Sequence, residues 1–386
     1  MTSARCDFDV TDSELRAAGS VKWTRQPPEV LPAWVAELDV RPCPAVTAAL
    51  REAIDRGAFG YPATDDVTGL PQATATFLAR RFGRPVDPVT VLGCGDVMAG
   101  VRLVLETLCE QAPVIVPVPT YPPFLDVVPL TGRLAVPVPC IVDAAGRHAL
   151  DLDAVAAALA AGARTVLLSQ PHNPLGRAFD DAELAGLRDV VDRYGARVIS
   201  DEIHAPLVLA GAVHTPYAGL PGTAGHTTTV VAASKAWNIP GLKCAQLVAG
   251  TPEEADRLRA VPHVANHGVS PLGIVATIAA YGDRSGWLDS LLEQLAARRE
   301  LFAVLLAEHL PHVRWTPPEA TYLAWLDVRG TGVADPAAAA RRAGVAVSAG
   351  RDFGPGYQGF ARLNLGTSAE RLTRIMERLG RAWPCA

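Results

Sequence analysis

The chain has 386 residues, 49% of them hydrophobic and 19% charged, with a formal net charge of −5. That length exceeds one simple core and suits a large domain with a smaller one, and the apolar content excludes a disordered chain. The slight acidity provides no broad cationic field for nucleic acid or an anionic membrane, so neither partner is expected.

No apolar run reaches the length of a membrane span, and Met1–Val10 lacks the basic-then-apolar layout of a secretory leader. A cytoplasmic location is expected. The seven cysteines are scattered and contain no C-x-x-C pair, so reduced thiols are expected rather than a disulfide framework or zinc cluster. His263 and His267 lie four apart, but Pro262 precedes them and no third ligand is near; they read as a loop or helix start, with no metal expected.

In chain order, the stretch up to about Val46 is rich in proline and aromatic residues and is expected to pack against the C-terminal part. A strand over Val89–Cys94 runs into Gly95-Asp96-Val97, which opens a helix over Met98–Cys109. A second strand, Val114–Pro117, is followed by Thr120-Tyr121. An Ala-rich helix over Asp153–Ala161 stops at Gly162 and leads to a strand at Thr165–Ser169, then Pro171-His172-Asn173-Pro174. Asp180 and Asp181 can cap a helix running to Tyr194, with Leu184, Leu187, Val190 and Val191 on one stripe and Gly195 as the stop. Strands at Ala196–Ser200 and Thr227–Ala233 lead into Asp201-Glu202-Ile203-His204 and Ser234-Lys235.

Strand–helix–strand at these lengths predicts an α/β fold, with a mostly parallel sheet flanked by helices. After about Tyr281 a long helix over Trp287–Leu310 precedes short strands at Tyr322–Val328, Val345–Ser348 and Phe360–Leu365, which suggests a smaller α+β domain. The expected division is a large domain over residues 47–283 and a small one made of 1–46 with 284–386.

Ligands of open parallel sheets bind beyond the carboxyl ends of the strands. Five strand exits here deliver a helix N-terminus, a Tyr, an Asn, an Asp with a His, and a Lys to one rim. Each alone has a plain structural explanation as a turn, a cap or a solvated charge. Together their chemistry is complementary. A helix N-terminus attracts an anion, and a carboxylate at a dry strand end attracts a cation such as a protonated ring nitrogen. A lysine after Val230-Val231-Ala232-Ala233 is partly desolvated and becomes a competent amine nucleophile. Phosphate, protonated pyridine and aldehyde are the three handles of pyridoxal 5'-phosphate (PLP).

Three segments carry a recognisable pattern: Pro171-His172-Asn173-Pro174-Leu175-Gly176-Arg177, Ser200-Asp201-Glu202-Ile203-His204, and Ser234-Lys235-Ala236-Trp237-Asn238 through Lys243-Cys244. They resemble the fold-type I PLP-dependent transferases of the aspartate aminotransferase superfamily, and more narrowly the MalY/PatB branch of cystathionine β-lyase-like C–S lyases. Trp34-Val35-Ala36-Glu37-Leu38-Asp39, Phe59-Gly60-Tyr61, Pro119-Thr120-Tyr121 and Glu319-Ala320-Thr321-Tyr322 extend the likeness from about Trp34 to Leu365.

The resemblance implies that Lys235 carries PLP and shuttles the proton, and that Asp201 pairs with the ring nitrogen. It implies that Asn173 donates to the ring O3', that Tyr121 stacks on the ring, and that His204 stands where many aminotransferases have a Tyr. Gly95, Asp96 and Val97 offer backbone N–H groups to the phosphate, with Ser234 and Lys243. The Asp96 side chain, which would repel a phosphate, is expected to turn away and cap the helix. Arg362 grips the substrate α-carboxylate, with Asn173, Tyr61 and Tyr121 also lining the substrate. Tyr61 reaches the partner subunit's phosphate, which implies a homodimer with shared sites. The implied reaction is β-elimination from cystathionine or another cysteine S-conjugate, the alternative being transamination between an amino acid and a 2-oxo acid.

Overall fold

Seven strands form the central sheet of the computed structural model, which describes residues 5–143 and 146–385. From one edge to the other they are Val91–Cys94, Ala245–Val248, Thr227–Val231, Arg197–Asp201, Thr165–Ser169, Val114–Val118 and Ala135–Pro139. Ala245–Val248 runs antiparallel to both neighbours, and the remaining pairings are parallel. Alternation along the strands divides the core into two layers. Leu167, Ile199 and Val230 pack with Val101, Val104 and Leu105 of the helix Val97–Leu108. Val166, Leu168 and Val198 pack on the other face with Leu184, Leu187 and Val191 of the helix Asp181–Tyr194. Helices on both faces are what near-continuous apolar strands require.

A second sheet is antiparallel throughout, in the order Arg314–Trp315, Leu323–Asp327, Phe360–Asn364, Ser348–Ala349. The helices Trp287–His309 and Ala369–Ala382 cover it with Phe302, Leu306, Leu372, Ile375 and Leu379. The N-terminal stretch joins this unit: Leu31 and Pro32 pair in parallel with Val345 and Ala346. It is fastened further on, where Lys22 Nζ lies 2.9 Å from Asp39 Oδ1 and Asn364 Nδ2 donates to the Val35 and Glu37 carbonyls at 2.6 and 2.7 Å. The segment Trp34–Asp39 is held beside the rim of the large sheet by Asn238, which accepts from Leu38 N and donates to Leu38 O, both at 2.8 Å. No helix among the described residues is long and apolar enough to cross a membrane.

Several expected boundaries shift for local reasons. Pro88–Thr90 is a 3-10 turn, not the start of a strand, because Pro88 fixes φ and the Asp87 side chain accepts from Val89 N at 3.0 Å. Ala196 N is drawn into the helix end by a 3.0 Å bond to Val191 O, so the next strand starts at Arg197 and carries Asp201 as its last residue. Val345–Ser348 is two short strands serving different partners. The strand from Thr227 ends at Val231, leaving Ala232 and Ala233 to turn the chain toward Lys235.

Candidate active site

Lys235 leaves the strand Thr227–Val231 between Ala233 and Ala236, both fully buried. Its Nζ donates to the Ala36 carbonyl at 3.0 Å, an oxygen that also accepts from Tyr322 Oη at 2.9 Å. Burial, with the nearby Arg362 charge, pulls the Lys235 ammonium down to about 8. Asp201 ends the neighbouring strand, 4% exposed, with Oδ1 accepting from Ile203 N at 3.1 Å. Burial pushes its acid up to about 7 even though the Ile203 N–H favours the anion. A carboxylate in that state is stabilised by any cation that reaches it.

A nucleophilic amine must be neutral, so its reactivity rises with pH until its pKa is passed. Capture of PLP by the cofactor-free protein should therefore speed up about tenfold per pH unit and level off near 8. An unperturbed lysine would keep accelerating to about 10.4. Stopped-flow absorbance across that range distinguishes the two.

Arg362 joins the other two corners. In the strand Phe360–Asn364 it is 6% exposed, and its guanidinium lies 5.0 Å over the Phe353 ring. Nη1 donates to Asn173 Oδ1 at 3.1 Å, and Nη2 donates to the Trp34 carbonyl at 2.8 Å and Ser348 Oγ at 3.2 Å. Nε is buried and has no partner. Because Asn173 uses its oxygen on Arg362, its amide hydrogens remain for another acceptor. Burial lowers the Arg362 cation to about 10, still charged at neutral pH. Tyr121 precedes the helix Pro122–Leu130, edge-on to Phe124 at 5.8 Å, its hydroxyl pKa raised by burial and then by Asp201. His204 is 2% exposed, and burial, then Lys235 and Arg362, depress it to about 3, so the ring is neutral; its Nδ1 has no partner.

Gly95, Asp96 and Val97 start the helix Val97–Leu108 on the same rim. The Asp96 side chain caps that helix by accepting from Ala99 N at 2.9 Å, and it pairs with Lys243 Nζ at 2.7 Å. Lys243 arrives there because the antiparallel strand Ala245–Val248 begins at the rim where its neighbours end, with Ala245 opposite Cys94. Ser234 is partly exposed beside Lys235. Tyr61 stands apart. It is 98% exposed.

A model of the family described as aminotransferase class I and II matches residues 35–379. The chain belongs to the class I and II aminotransferase family. Within that family it falls in the MalY/PatB branch. It is 39% identical to the cystathionine β-lyase of Corynebacterium glutamicum, over 95% of this chain and 97% of that one. It is 31% identical to the cystathionine β-lyase PatB of Bacillus subtilis, over 97% and 98%. The PLP-bound C–S lyase from Staphylococcus hominis superposes with a TM-score of 0.90 at 25% identity, covering 98% of each chain.

The residues of this family member fit PLP on their own geometry. Arg362 Nε and His204 Nδ1 are buried without partners, burial raises the Asp201 acid despite the Lys235 charge, and the Lys235 amine is depressed. These are the deficits that a carboxylate-bearing substrate and a cationic ring would relieve. Sequence reasoning missed the backbone members. The carbonyls of Trp34 and Ala36 hold Arg362 and Lys235 from about 200 residues or more away in sequence. No residue type announces a carbonyl, although both lie in a motif the sequence had already singled out. Ser348 and the Tyr322 hydroxyl went unread for the same reason: their partners are distant in sequence.

Proposed function

We propose that the chain is a PLP-dependent carbon–sulfur β-lyase that converts cystathionine or another cysteine S-conjugate, with water, to thiol, pyruvate and ammonia. The observation that carries the chemistry is the depressed Lys235 amine, under the charges of Asp201 and of an Arg362 whose buried Nε has no partner. The choice of sulfur leaving group is supported by the near-full-length likeness to the cystathionine β-lyases.

PLP supplies an electron sink for negative charge developing at the substrate Cα. In this proposal Arg362 would bind the α-carboxylate through the N–H groups it has not committed to Asn173, Trp34 and Ser348, fixing the Cα–H bond toward Lys235. Lys235 takes that proton; its lowered pKa suits it to act as a base near neutral pH. The Cβ–S bond then breaks, with the electron pair leaving on sulfur as a thiolate that is protonated to the thiol. Asp201 would hold a negative charge against the ring nitrogen, Asn173 would offer its amide hydrogens to O3', Tyr121 would stack on the ring, and His204 would stand where many aminotransferases have a Tyr. Ser234, Lys243 and the N–H groups at Gly95, Asp96 and Val97 take the phosphate.

Purified enzyme given cystathionine should release thiol and pyruvate in equal amounts. Pyridoxamine phosphate formed from an amino acid, and consumed by a 2-oxo acid without thiol release, would instead establish the aminotransferase reading that the family name favours.

The same proposal places the enzyme in the cytoplasm, supported by seven cysteines that are all free. It divides the chain into a large domain at 47–283 and a small one of 1–46 with 284–386, supported by the two sheets. It makes the enzyme a homodimer in which Tyr61 serves the partner's site, supported by the full exposure of that ring in a single chain. Complementation tests the sharing. Tyr61→Ala and Lys235→Ala proteins should each be inactive or nearly so, and mixing them under subunit exchange should restore about a quarter of wild-type activity, because half the dimers then own one intact site. No recovery despite proven exchange would mean that each chain completes its own site.

A further inference from the structure

We infer that Asp96 is a built-in competitor of the cofactor phosphate, occupying the phosphate cup when it is empty and so weakening PLP retention. This rests on the proposed PLP site and deepens it.

One carboxylate caps the helix at the cup and holds Lys243, an ammonium that the phosphate would use. Its Oδ1 takes the Ala99 N–H of the first helical turn at 2.9 Å, and its Oδ2 takes the Lys243 ammonium at 2.7 Å. The backbone that roots each side chain is held in place. Lys243 sits in the left-handed region at φ 52°, and its carbonyl accepts from Ser270 N at 2.9 Å, immediately before the strand Ala245–Val248. Gly95 is pressed against another segment, since a Cβ there would lie 3.0 Å from the Gly268 carbonyl oxygen, so the strand exit that roots Asp96 is pinned as well. Both side chains remain within reach of solvent, Lys243 at 57% and Asp96 at 43% exposure, so an incoming anion can meet the pair.

A phosphate entering this cup must share Lys243 with a carboxylate that does not leave, and must accept a like charge beside it. The ammonium is already paired before the phosphate arrives, so binding exchanges one charge-assisted contact for another. The gain per contact falls accordingly. Lys243 alone, without Asp96, would offer its full charge.

Asp96→Asn removes the charge and keeps a good helix cap. Absorbance titration of the cofactor-stripped variant with PLP should give a dissociation constant about tenfold lower than wild type, equivalent to about 1.4 kcal/mol. Inorganic phosphate should raise the melting temperature of the stripped variant more than that of stripped wild type. Asp96→Ser, also a capping residue, should behave alike and covers the case in which the first variant fails to fold. If wild type binds PLP and both folded variants bind it equally or more weakly, the competitor role is overturned and Asp96 serves to place Lys243. If wild type takes up no PLP at all, the proposed function itself fails.

Discussion

Lys235→Ala protein is expected to purify colourless and to lose activity by about 10⁴-fold or more. One side chain is being asked to do two jobs, covalent attachment and proton transfer, and no neighbour can take over either. Asp201 is an acid held near 7 that the proposal assigns to the ring nitrogen. Tyr121 and Tyr322 have hydroxyls raised by burial, and His204 is a base depressed to about 3. Lys243, the other amine on the rim, is paired with Asp96. The substitution should not unfold the protein. The Nζ leaves a single hydrogen bond to the Ala36 carbonyl, which keeps Tyr322 Oη as a donor. Circular dichroism should be unchanged, while dialysis should strip PLP from the variant and not from wild type. Normal turnover by this variant would end the reading.

The large sheet was legible where a strand is wholly apolar and bounded by breakers. Thr165–Ser169 is found with the bounds its sequence suggests, because Val166, Leu167 and Leu168 are all buried and Pro171 follows. Ala245–Val248 was not read as a strand because Gln246 interrupts its pattern. That side chain is fully buried all the same, accepting from Tyr281 Oη at 2.9 Å and donating to Cys244 Sγ at 3.4 Å. A partner 35 residues away cannot be inferred from local periodicity. The missed strand has a consequence for the site, since its antiparallel direction is what delivers Lys243 to the rim. The helix Ala369–Ala382 also went unread, although Leu372, Ile375, Met376 and Leu379 carry the 3–4 spacing of one buried stripe. For the site, strand ends supplied the side chains in order, because the fold itself dictates where they emerge. What stayed hidden is the grip from the far side, Trp34–Asp39 held by Asn364, Asn238 and Lys22. It is built of carbonyls and closes only when the two sheets meet.

Arg362→Lys should lower kcat/KM for an α-amino acid substrate by about 10²- to 10³-fold while leaving bound PLP in place. Charge is conserved in this change, so the loss must come from shape. The guanidinium holds Asn173, the Trp34 carbonyl and Ser348 with its two outer nitrogens and keeps Nε for a further acceptor. An ammonium has three donors on one atom and cannot serve three fixed acceptors and a carboxylate together. A released Asn173 Oδ1 would also let that amide turn, so kcat should fall as well as KM rise. The control is an amine analogue of the same S-conjugate lacking the α-carboxylate. Wild type should handle it poorly, and Arg362→Lys should lose far less on it than on the α-amino acid, because the carboxylate contact is absent from both and only the Asn173 effect remains. Equal losses on both substrates would mean that Arg362 acts through Asn173 and the small sheet rather than on the carboxylate.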